Sequence, residues 1–338
     1  MRDQEINRNA QPTVFGFEFQ EVAGLILTLE NIKDIKEISI EAPHQDIEIL
    51  LSNDKKIYAQ AKATTSSISK STLEKFKKGL ETLIENTELN DFEKLVYITN
   101  SMFPLGKTKV VANLFYNRLN AIYTYEDLKK MGIDIDSIID KVKNSNNQFN
   151  REKLEIHFHQ LLDISNQRTK YEVVYQYIKE FLEKVNDGKY KKEIFELWTG
   201  QFHRNASQKQ VIKKSDFIWK MIIRLSDIHD TERFKDFFDY EEDEIGEIEE
   251  RFSDEIENLA DGFELSNSVV TAYTAYRQNH SKSEVREFEF IEEYWQSFQD
   301  RIIELPDKDC QKIVCQLVIW EMLRNKTLIK KAKEAAGL

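Results

Sequence analysis

The sequence predicts an α/β N-terminal core followed by an all-α region. A segment with helical spacing and three short strands fill the first part of the chain, and strand signals fade after about Lys107. The 338 residues include 10 glycines and 4 prolines, so few backbone breakers interrupt helices. We therefore expect a core at 1–130 with the order α-β-β-β-α-β, its mixed sheet flanked by helices, and a helical domain at 131–338.

The first predicted helix covers residues 15–32, where Phe15, Phe19, Val22, Ile26 and Leu29 recur at helical spacing. Three short strands are predicted next, at 37–41, 46–51 and 57–63. Turn residues at 52–55 separate the second strand from the third. Strands in such close succession predict an antiparallel meander.

A second helix and a fourth strand complete the predicted core. Ser71 and Glu74 have the spacing of a capping box, which predicts a helix that runs to about Glu85. The apolar run at 95–99 predicts a buried strand. Beyond the core, helical periodicity is clearest at 171–185, 216–225 and 311–329.

The composition indicates a soluble globular protein, with 41% hydrophobic and 32% charged residues. The N-terminus is polar and no apolar run approaches the ~18 residues of a membrane span, so we expect a cytoplasmic protein without membrane contact. A net charge of −12 argues against nucleic-acid binding by bulk charge. It does not exclude a DNA enzyme, because a metal site or a local basic patch can approach phosphate within an acidic protein.

The hairpin of the second and third strands brings an acid, an amide and an ammonium to one sheet face, because side chains alternate with a period of two. One register places Glu48 opposite Gln60 and Asp46 opposite Lys62. A slip of two residues instead sets Asp46 opposite Gln60. In either register these groups lie within roughly 5–8 Å of one another.

This group of side chains suits phosphodiester hydrolysis. The Asp46 carboxylate is a hard oxygen ligand for Mg²⁺ or Mn²⁺, and the Gln60 side-chain oxygen and the Ala61 carbonyl would complete the coordination. Lys62 would orient the attacking water and neutralise charge that develops on the phosphoryl oxygens.

Other side chains are candidates for further ligands. Glu41 ends the preceding strand and would supply a second carboxylate, while Gln20 or Glu21 would reach the site from the first helix. His157 and His159 would share one face of a strand if the segment 155–159 is extended, and would then form an alternative metal pair. Because no third ligand lies near them in the sequence, we interpret the two histidines as structural residues.

At these positions the sequence resembles the PD-(D/E)xK nuclease superfamily. It is most similar to the branch with Gln-x-Lys in place of (D/E)-x-K, found as double-strand-DNA endonuclease effectors in bacterial anti-phage systems of the CBASS and Lamassu types. The resemblance covers about the first third of the chain and rests on four features: the helix opening at 16–20, Glu41 followed by Gln45-Asp46-Ile47, Gln60-Ala61-Lys62, and the strand at 95–100.

The resemblance implies a restriction-endonuclease-like core in which Asp46 binds metal, Gln60 occupies the variant acid position and Lys62 is the catalytic lysine. Two positions depart from the wider family. Gln60 is an amide, which removes one negative charge from the site, and Gln45 stands where relatives often carry a second acid. Glu48 would compensate or would be a surface residue.

The resemblance also implies a function and partners. We expect a metal-dependent endonuclease effector that degrades double-stranded DNA once a sensor releases it, the sensor being an SMC-like ATPase complex in Lamassu-type systems. Nothing in 131–338 resembles a cyclic-nucleotide-binding domain, so we expect control by protein partners or by homo-oligomerisation. The alternative is a non-catalytic scaffold with a degenerate nuclease core.

Overall fold

The fold divides into two compact units, seen in a computed structural model. One unit falls within Met1–Phe181 and Lys191–Lys214, and the other within Leu182–Tyr190 and Ser215–Leu338. The structure describes residues 11–42, 45–65, 72–85, 92–116, 118–142, 150–161, 170–186, 188–226, 232–257, 262–280 and 282–338.

The first unit is an α/β structure. Its elements in chain order are α1 (Gln11–Glu30), β1 (Ile35–Ile40), β2 (Ile47–Leu51), β3 (Lys56–Lys62), α2 (Leu73–Glu85), β4 (Phe92–Thr99), α3 (Lys109–Phe115), β5 (Asn120–Thr124), α4 (Tyr125–Lys130), α5 (Ile135–Ile139), β6 (Leu154–His159), α6 (Glu172–Asn186), which continues into the second unit, α7 (Lys191–Gln208) and β7 (Ile212–Lys213).

The described strands form one sheet in the order β5-β6-β4-β3-β2-β1-β7. β3, β4 and β6 run parallel to one another, and the remaining neighbours are antiparallel. The sheet is therefore mixed, as the sequence predicted, and the predicted meander is β1–β2–β3. Since β3 and β4 are parallel, their carboxyl ends meet at one edge of the sheet.

Alternation along β3 sends different side chains to the two faces of the sheet. Tyr58 belongs to a buried apolar cluster together with side chains of α2, β4 and β6. Ala59 and Ala61, with 0% and 4% of their surface exposed, point to the opposite face, which α1 covers. These small side chains allow α1 to lie close to the sheet.

Two parts of the predicted architecture need correction. The α/β unit does not end at residue 130, because β6 and β7 lie beyond it and join the same sheet. The region 131–338 is therefore not all-α. β5 lies within the predicted core but has no counterpart in the predicted order. The proposed cap Ser71 lies outside the described residues, while α2 itself begins at Leu73 as expected.

The described part of the second unit is helical. Its elements are α8 (Lys214–Leu225), whose first residue falls in the first unit, α9 (Glu232–Phe238), α10 (Glu242–Glu257), α11 (Gly262–Asn279), α12 (Arg286–Ile302), α13 (Lys308–Arg324) and α14 (Lys326–Ala336). α13 is buried along most of its length and packs against α10, α11 and α12. Among the described helices, none is both long and apolar enough to cross a membrane.

The close approach of α2 to the sheet depends on Gly79. A Cβ at this position would lie 2.7 and 3.0 Å from two ring carbons of Tyr97. That ring is fully buried and packs edge-on against Phe76, with 5.0 Å between ring centroids, so it cannot easily move away.

We expect Gly79→Ala to lower the midpoint of thermal unfolding. The overpacking cost, about 1–3 kcal/mol, exceeds the gain in helix propensity of about 1 kcal/mol. Gly16→Ala in α1 is the matched control, because its Cβ would meet nothing within 4 Å. It should leave the midpoint unchanged or raise it. A Gly79→Ala protein at least as stable as Gly16→Ala would contradict this packing.

Candidate active site

The Asp46 carboxylate joins the ends of β2 and β3. Its Oδ2 accepts from the backbone N–H of Ala61 and from Lys62 Nζ, both at 2.9 Å. Ile47 pairs with Ala59, so continuing this register sets Asp46 opposite Gln60, the second of the two predicted registers. Asp46 lies just before β2. Its carboxylate accepts the Ala61 N–H, which a backbone carbonyl would accept if β2 began earlier. Asp46 and Lys62 are therefore brought together as predicted.

Gln60 lies in a chain of amides that fastens α2 to the hairpin. Its Nε2 donates to Gln45 Oε1 at 2.9 Å, and Gln45 Nε2 donates to the carbonyl of Thr82 at 3.2 Å. Each glutamine side chain is buried, with 2% exposure. A carboxylate at position 60 would have no proton to donate in this way. Gln60 and Gln45, the two positions that differ from the PD-(D/E)xK pattern, are therefore hydrogen-bonded to each other.

Glu41 is held beside Asp46 by an unusual backbone conformation. Its φ is +53°, in the left-handed region that non-glycine residues rarely adopt, and its N–H donates to the carbonyl of Asp46 at 2.8 Å. Burial raises the pKa of Glu41, and so does the charge of Asp46, while Lys62 and a hydrogen bond with Gln20 oppose the shift. Two carboxylates thus lie close enough to repel each other.

Of the two α1 residues proposed to reach the site, Gln20 does so. It bonds Glu41 and lines the cavity beside Lys62. Glu21 instead contacts His203 Nδ1 of α7 at 3.0 Å. Burial raises the pKa of Glu21, and His203 opposes the rise. Glu48 is also directed elsewhere, because it pairs with Lys56 at 3.6 Å further along the hairpin.

A cavity of about 410 Å³ opens at the carboxyl end of β3, between α1 and α2. Three lysines line it, Lys62 from β3 and Lys75 and Lys78 from α2. Lys75 Nζ donates to the carbonyl of Ala63 at 2.7 Å. Burial lowers the pKa of Lys75, and the nearby charge of Lys62 lowers it further. The cavity is therefore a cationic recess beside the Asp46 carboxylate.

A second cavity, of about 550 Å³, lies between α1 and α7 on the side of Glu41. Val14 and Phe17 of α1 line it and expose 64% and 50% of their surface. Glu18, Glu21 and Glu41 also line it, in contrast with the three lysines of the first cavity. Gln20 contributes to both cavities, so the amino-terminal half of α1 separates them.

The donor set is suited to a hard divalent cation. Asp46 and Glu41 supply carboxylate oxygens and Gln60 has an amide oxygen, which are the ligand types that Mg²⁺ takes. Burial is the main cause of the raised pKa of Glu41, and the repulsion by Asp46 that adds to it is what a bound cation would relieve. Within the described residues, no group of three or more His, Cys, Asp or Glu is arranged to hold a metal, so any ion here would depend on these two acids and amide or backbone oxygens.

The paired histidines of β6 are buried and hydrogen-bonded. His157 Nε2 lies 2.9 Å from Glu155 Oε2, and His159 Nδ1 lies 2.9 Å from Asn120 Oδ1. Their side chains share a strand face, as predicted, and each is 2% exposed. This burial and bonding support the structural interpretation of the pair.

Two contributions to the site were missed in the sequence. Gln45 lies outside β1 and β2, so the period-two pattern of the strands did not indicate its role as the partner of Gln60. Lys75 and Lys78 had a detectable one: they stand three residues apart on the helix after the Gln-x-Lys strand, so they share a helix face.

Comparison with known proteins gives structural similarity alone. No family model and no curated protein matches the chain. A Cap4 SAVED/CARF-domain containing receptor from Acinetobacter baumannii, solved with the cyclic trinucleotide 2′3′3′-cAAA, is similar at 14% identity and a TM-score of 0.37, over 60% of this chain and 43% of that one. The Cap4 receptor from Moraxella osloensis is similar at 14% identity and a TM-score of 0.37, over 64% and 49%.

The chain thus spans less than half the length of either receptor. At this identity and TM-score a common fold is not established. The functional assignment therefore depends on the residues of this chain.

The burial of His159 predicts a pH-dependent stability. Burial lowers its pKa to about 3, and the neighbouring His157 contributes. In the unfolded chain a histidine titrates near about 6.5, so between these values the unfolded state binds more protons. The stability from the neutral ring is complete above about pH 6.5 and is lost as the pH falls towards 3.

We expect the free energy of unfolding to fall between pH 7 and pH 5.5 by about 1 kcal/mol more in the wild type than in His159→Asn. Asparagine keeps an N–H donor for Asn120 but does not titrate. Denaturant unfolding at the two pH values measures the difference. Equal pH dependence in the two proteins would show that His159 is not held neutral.

Proposed function

We propose that this chain is a divalent-metal-dependent DNA endonuclease whose active site is centred on Asp46 and Lys62. One observation carries the proposal: the Asp46 carboxylate and the Lys62 ammonium are in contact at 2.9 Å beside a lysine-lined cavity at the carboxyl end of β3. A carboxylate that can hold a metal and a cation that can contact a phosphate are both used in metal-assisted phosphodiester hydrolysis.

Each residue of the site has a separate role in the proposed reaction. Asp46 and Glu41 would hold Mg²⁺ or Mn²⁺, with Gln60 as the third oxygen donor, and the ion would supply Lewis-acid activation of the phosphate and of water. Lys62 Nζ donates a hydrogen bond to the attacking water or to a phosphoryl oxygen that gains charge. Asp46 Oδ2 fixes the position of this ammonium, and the Ala61 N–H fixes Asp46 in turn.

The charge distribution supports a polyanionic substrate. The chain carries a net charge of −12, yet three lysines converge on the 410 Å³ cavity. An acidic surface disfavours nonspecific contact with nucleic acid, so attraction concentrates at this recess. We infer that double-stranded DNA is the substrate from the resemblance of the Asp46 and Gln60-Ala61-Lys62 segments to double-strand-DNA endonucleases.

From the same resemblance we also propose that the enzyme acts in bacterial anti-phage defence. We propose an effector that is held inactive until a sensor such as an SMC-like ATPase complex releases it, or until copies of the chain assemble. The helices of the second unit would provide the regulatory or oligomerisation surface. Binding of a cyclic trinucleotide, reported for the Cap4 receptor, is not part of this proposal, because a TM-score of 0.37 gives no reason to transfer it.

Asp46→Ala and Lys62→Ala should each reduce plasmid cleavage by at least about 100-fold in the presence of Mg²⁺ or Mn²⁺, because each removes a charge that acts on the reacting phosphate. Agarose electrophoresis of plasmid DNA over time measures the rate. Lys56→Gln is the matched control, since Lys56 lies on the same strand and pairs with Glu48 as Lys62 pairs with Asp46.

The control should cut at the wild-type rate, and circular dichroism should show that all variants are folded. The assay includes the activating partners or the assembled form of the chain where these are known. If folded Asp46→Ala and Lys62→Ala cut like wild type, this pair of residues is not the active site.

Glu41→Gln tests how the metal is held. The substitution keeps the hydrogen-bonding shape but removes one of the two carboxylates, so the Mg²⁺ concentration for half-maximal cleavage should rise roughly tenfold or more, with a smaller change in the rate at saturating metal. A Mg²⁺ titration of the cleavage rate measures both quantities, and EDTA should abolish cleavage in wild type. An unchanged half-maximal concentration would remove Glu41 from the metal site.

A non-catalytic scaffold is the second candidate, favoured by the Gln60–Gln45 hydrogen bond. Both amides are buried and paired with each other, as expected of residues retained for structure. This alternative predicts a folded protein that binds its partners with no divalent-dependent cleavage under activating conditions. Lys62→Ala would then leave partner binding unchanged.

A further inference from the structure

We propose that Lys75 and Lys78 of α2 form a phosphate subsite next to the reacting phosphate, which holds the DNA strand that is cut. The inference rests on the proposed nuclease function and adds to it the residues that position the substrate backbone. The juxtaposition of these two lysines with Lys62 in the 410 Å³ cavity carries it.

The lining of the cavity favours an anion. Besides the three lysines it includes the polar side chains of Gln20, Thr64 and Thr65 and the small residues at 61 and 63. Among the described residues, no Asp or Glu lines this cavity. A recess with several ammonium groups and hydroxyl donors but no carboxylate is complementary to phosphate.

The lysines of this cavity differ in how their charge is balanced. Lys62 Nζ contacts the Asp46 carboxylate at 2.9 Å, whereas Lys75 Nζ donates to a neutral carbonyl, that of Ala63, at 2.7 Å. Lys75 and Lys62 are also close enough for their charges to oppose each other. The Ala63 carbonyl does not neutralise the positive charge of Lys75, and a phosphate in the cavity would do so.

The neighbouring lysine on the same helix shows the contrast. Lys77 pairs with Glu74 at 2.8 Å, an i,i+3 contact of the helix surface, and does not line the cavity. Lys75 and Lys78, three residues apart, instead share the helix face towards the end of β3. In this proposal Lys62 contacts the reacting phosphate, and the helix face of Lys75 and Lys78 contacts a neighbouring phosphate of the same DNA strand. Lys75 and Lys78 are therefore positioning residues.

A phosphate contact has a measurable signature in salt dependence. Each phosphate that a lysine neutralises contributes a slope of about −0.9 to the plot of log binding constant against log salt. Lys75→Gln and Lys78→Gln should each weaken DNA binding about tenfold at low salt and reduce the magnitude of this slope by about one. KM for plasmid DNA should rise by a similar factor, while kcat changes little.

The experiment titrates a fluorescein-labelled DNA duplex with the full chain in EDTA, where no cleavage occurs, at several KCl concentrations, and measures anisotropy. Lys77→Gln is the matched control and should keep the wild-type affinity and slope. Wild-type slopes in both Lys75→Gln and Lys78→Gln would overturn the subsite. It would also be overturned if Lys77→Gln lost as much DNA affinity as Lys75→Gln and Lys78→Gln.

The binding and cleavage measurements separate the two proposals. If the chain cuts DNA through Asp46 and Lys62 but the slopes of the α2 variants are unchanged, the subsite is wrong and the nuclease function stands. If the wild type binds duplex with a slope that depends on Lys75 and Lys78 but never cuts, the subsite stands and the catalytic function fails. A wild type that does not bind duplex overturns the subsite.

Discussion

The hydrogen bonds that Asp46 Oδ2 accepts from Ala61 and Lys62 determine the geometry of the candidate site. They fix the β2–β3 register at the position where the ladder ends, and this register decides which side chains share a face. A slip by one residue would move Lys62 and Gln60 to the face covered by α1. The carbonyl of Asp46 also accepts the N–H of Glu41, so the second carboxylate depends on the same residue.

The charges of this unit are separated over short distances. The Asp46 and Glu41 carboxylates lie close to Lys62, and Lys62 lines the cavity together with the lysines of α2. In the proposed reaction this charge difference would orient a phosphodiester, because its oxygens are attracted to the ammonium groups and repelled by the acids unless a cation intervenes. An acidic protein can in this way be selective for a polyanion at one place.

Local patterns in the sequence were sufficient for the elements nearest the site. The apolar spacing of α1, the alternation in β1–β3 and the apolar run of β4 predicted these elements to within a few residues. The extent of the sheet was not predictable in this way. β7 has two residues, and β6 lies in a segment whose neighbours in sequence gave no strand signal, so its place beside β4 depends on tertiary packing.

The site residues divide along the same line. Asp46 and Lys62 lie on a regular strand or directly beside one, so period-two counting predicted their contact. The bond between Gln60 and Gln45 and the left-handed φ of Glu41 involve residues 41 and 45, which lie outside β1 and β2, so the periodicity of the strands does not apply to them. Lys75 reaches the site through the packing of α2 on the sheet, which is non-local.

The parallel pairing of β3 with β4 has a consequence for protein synthesis. The residues from Glu41 to Lys62 emerge from the ribosome before α2 and β4 do, so α1 covers one face of the three antiparallel strands β1–β3 while the other face is still unpacked. α2 emerges later, with its lysines and with the Thr82 carbonyl that accepts from Gln45. β6, which pairs with β4, emerges later still. A nascent or truncated chain can therefore contain Asp46, Glu41 and Lys62 but no cavity. The cavity forms only after α2, the helix that connects β3 with β4, has packed on the sheet.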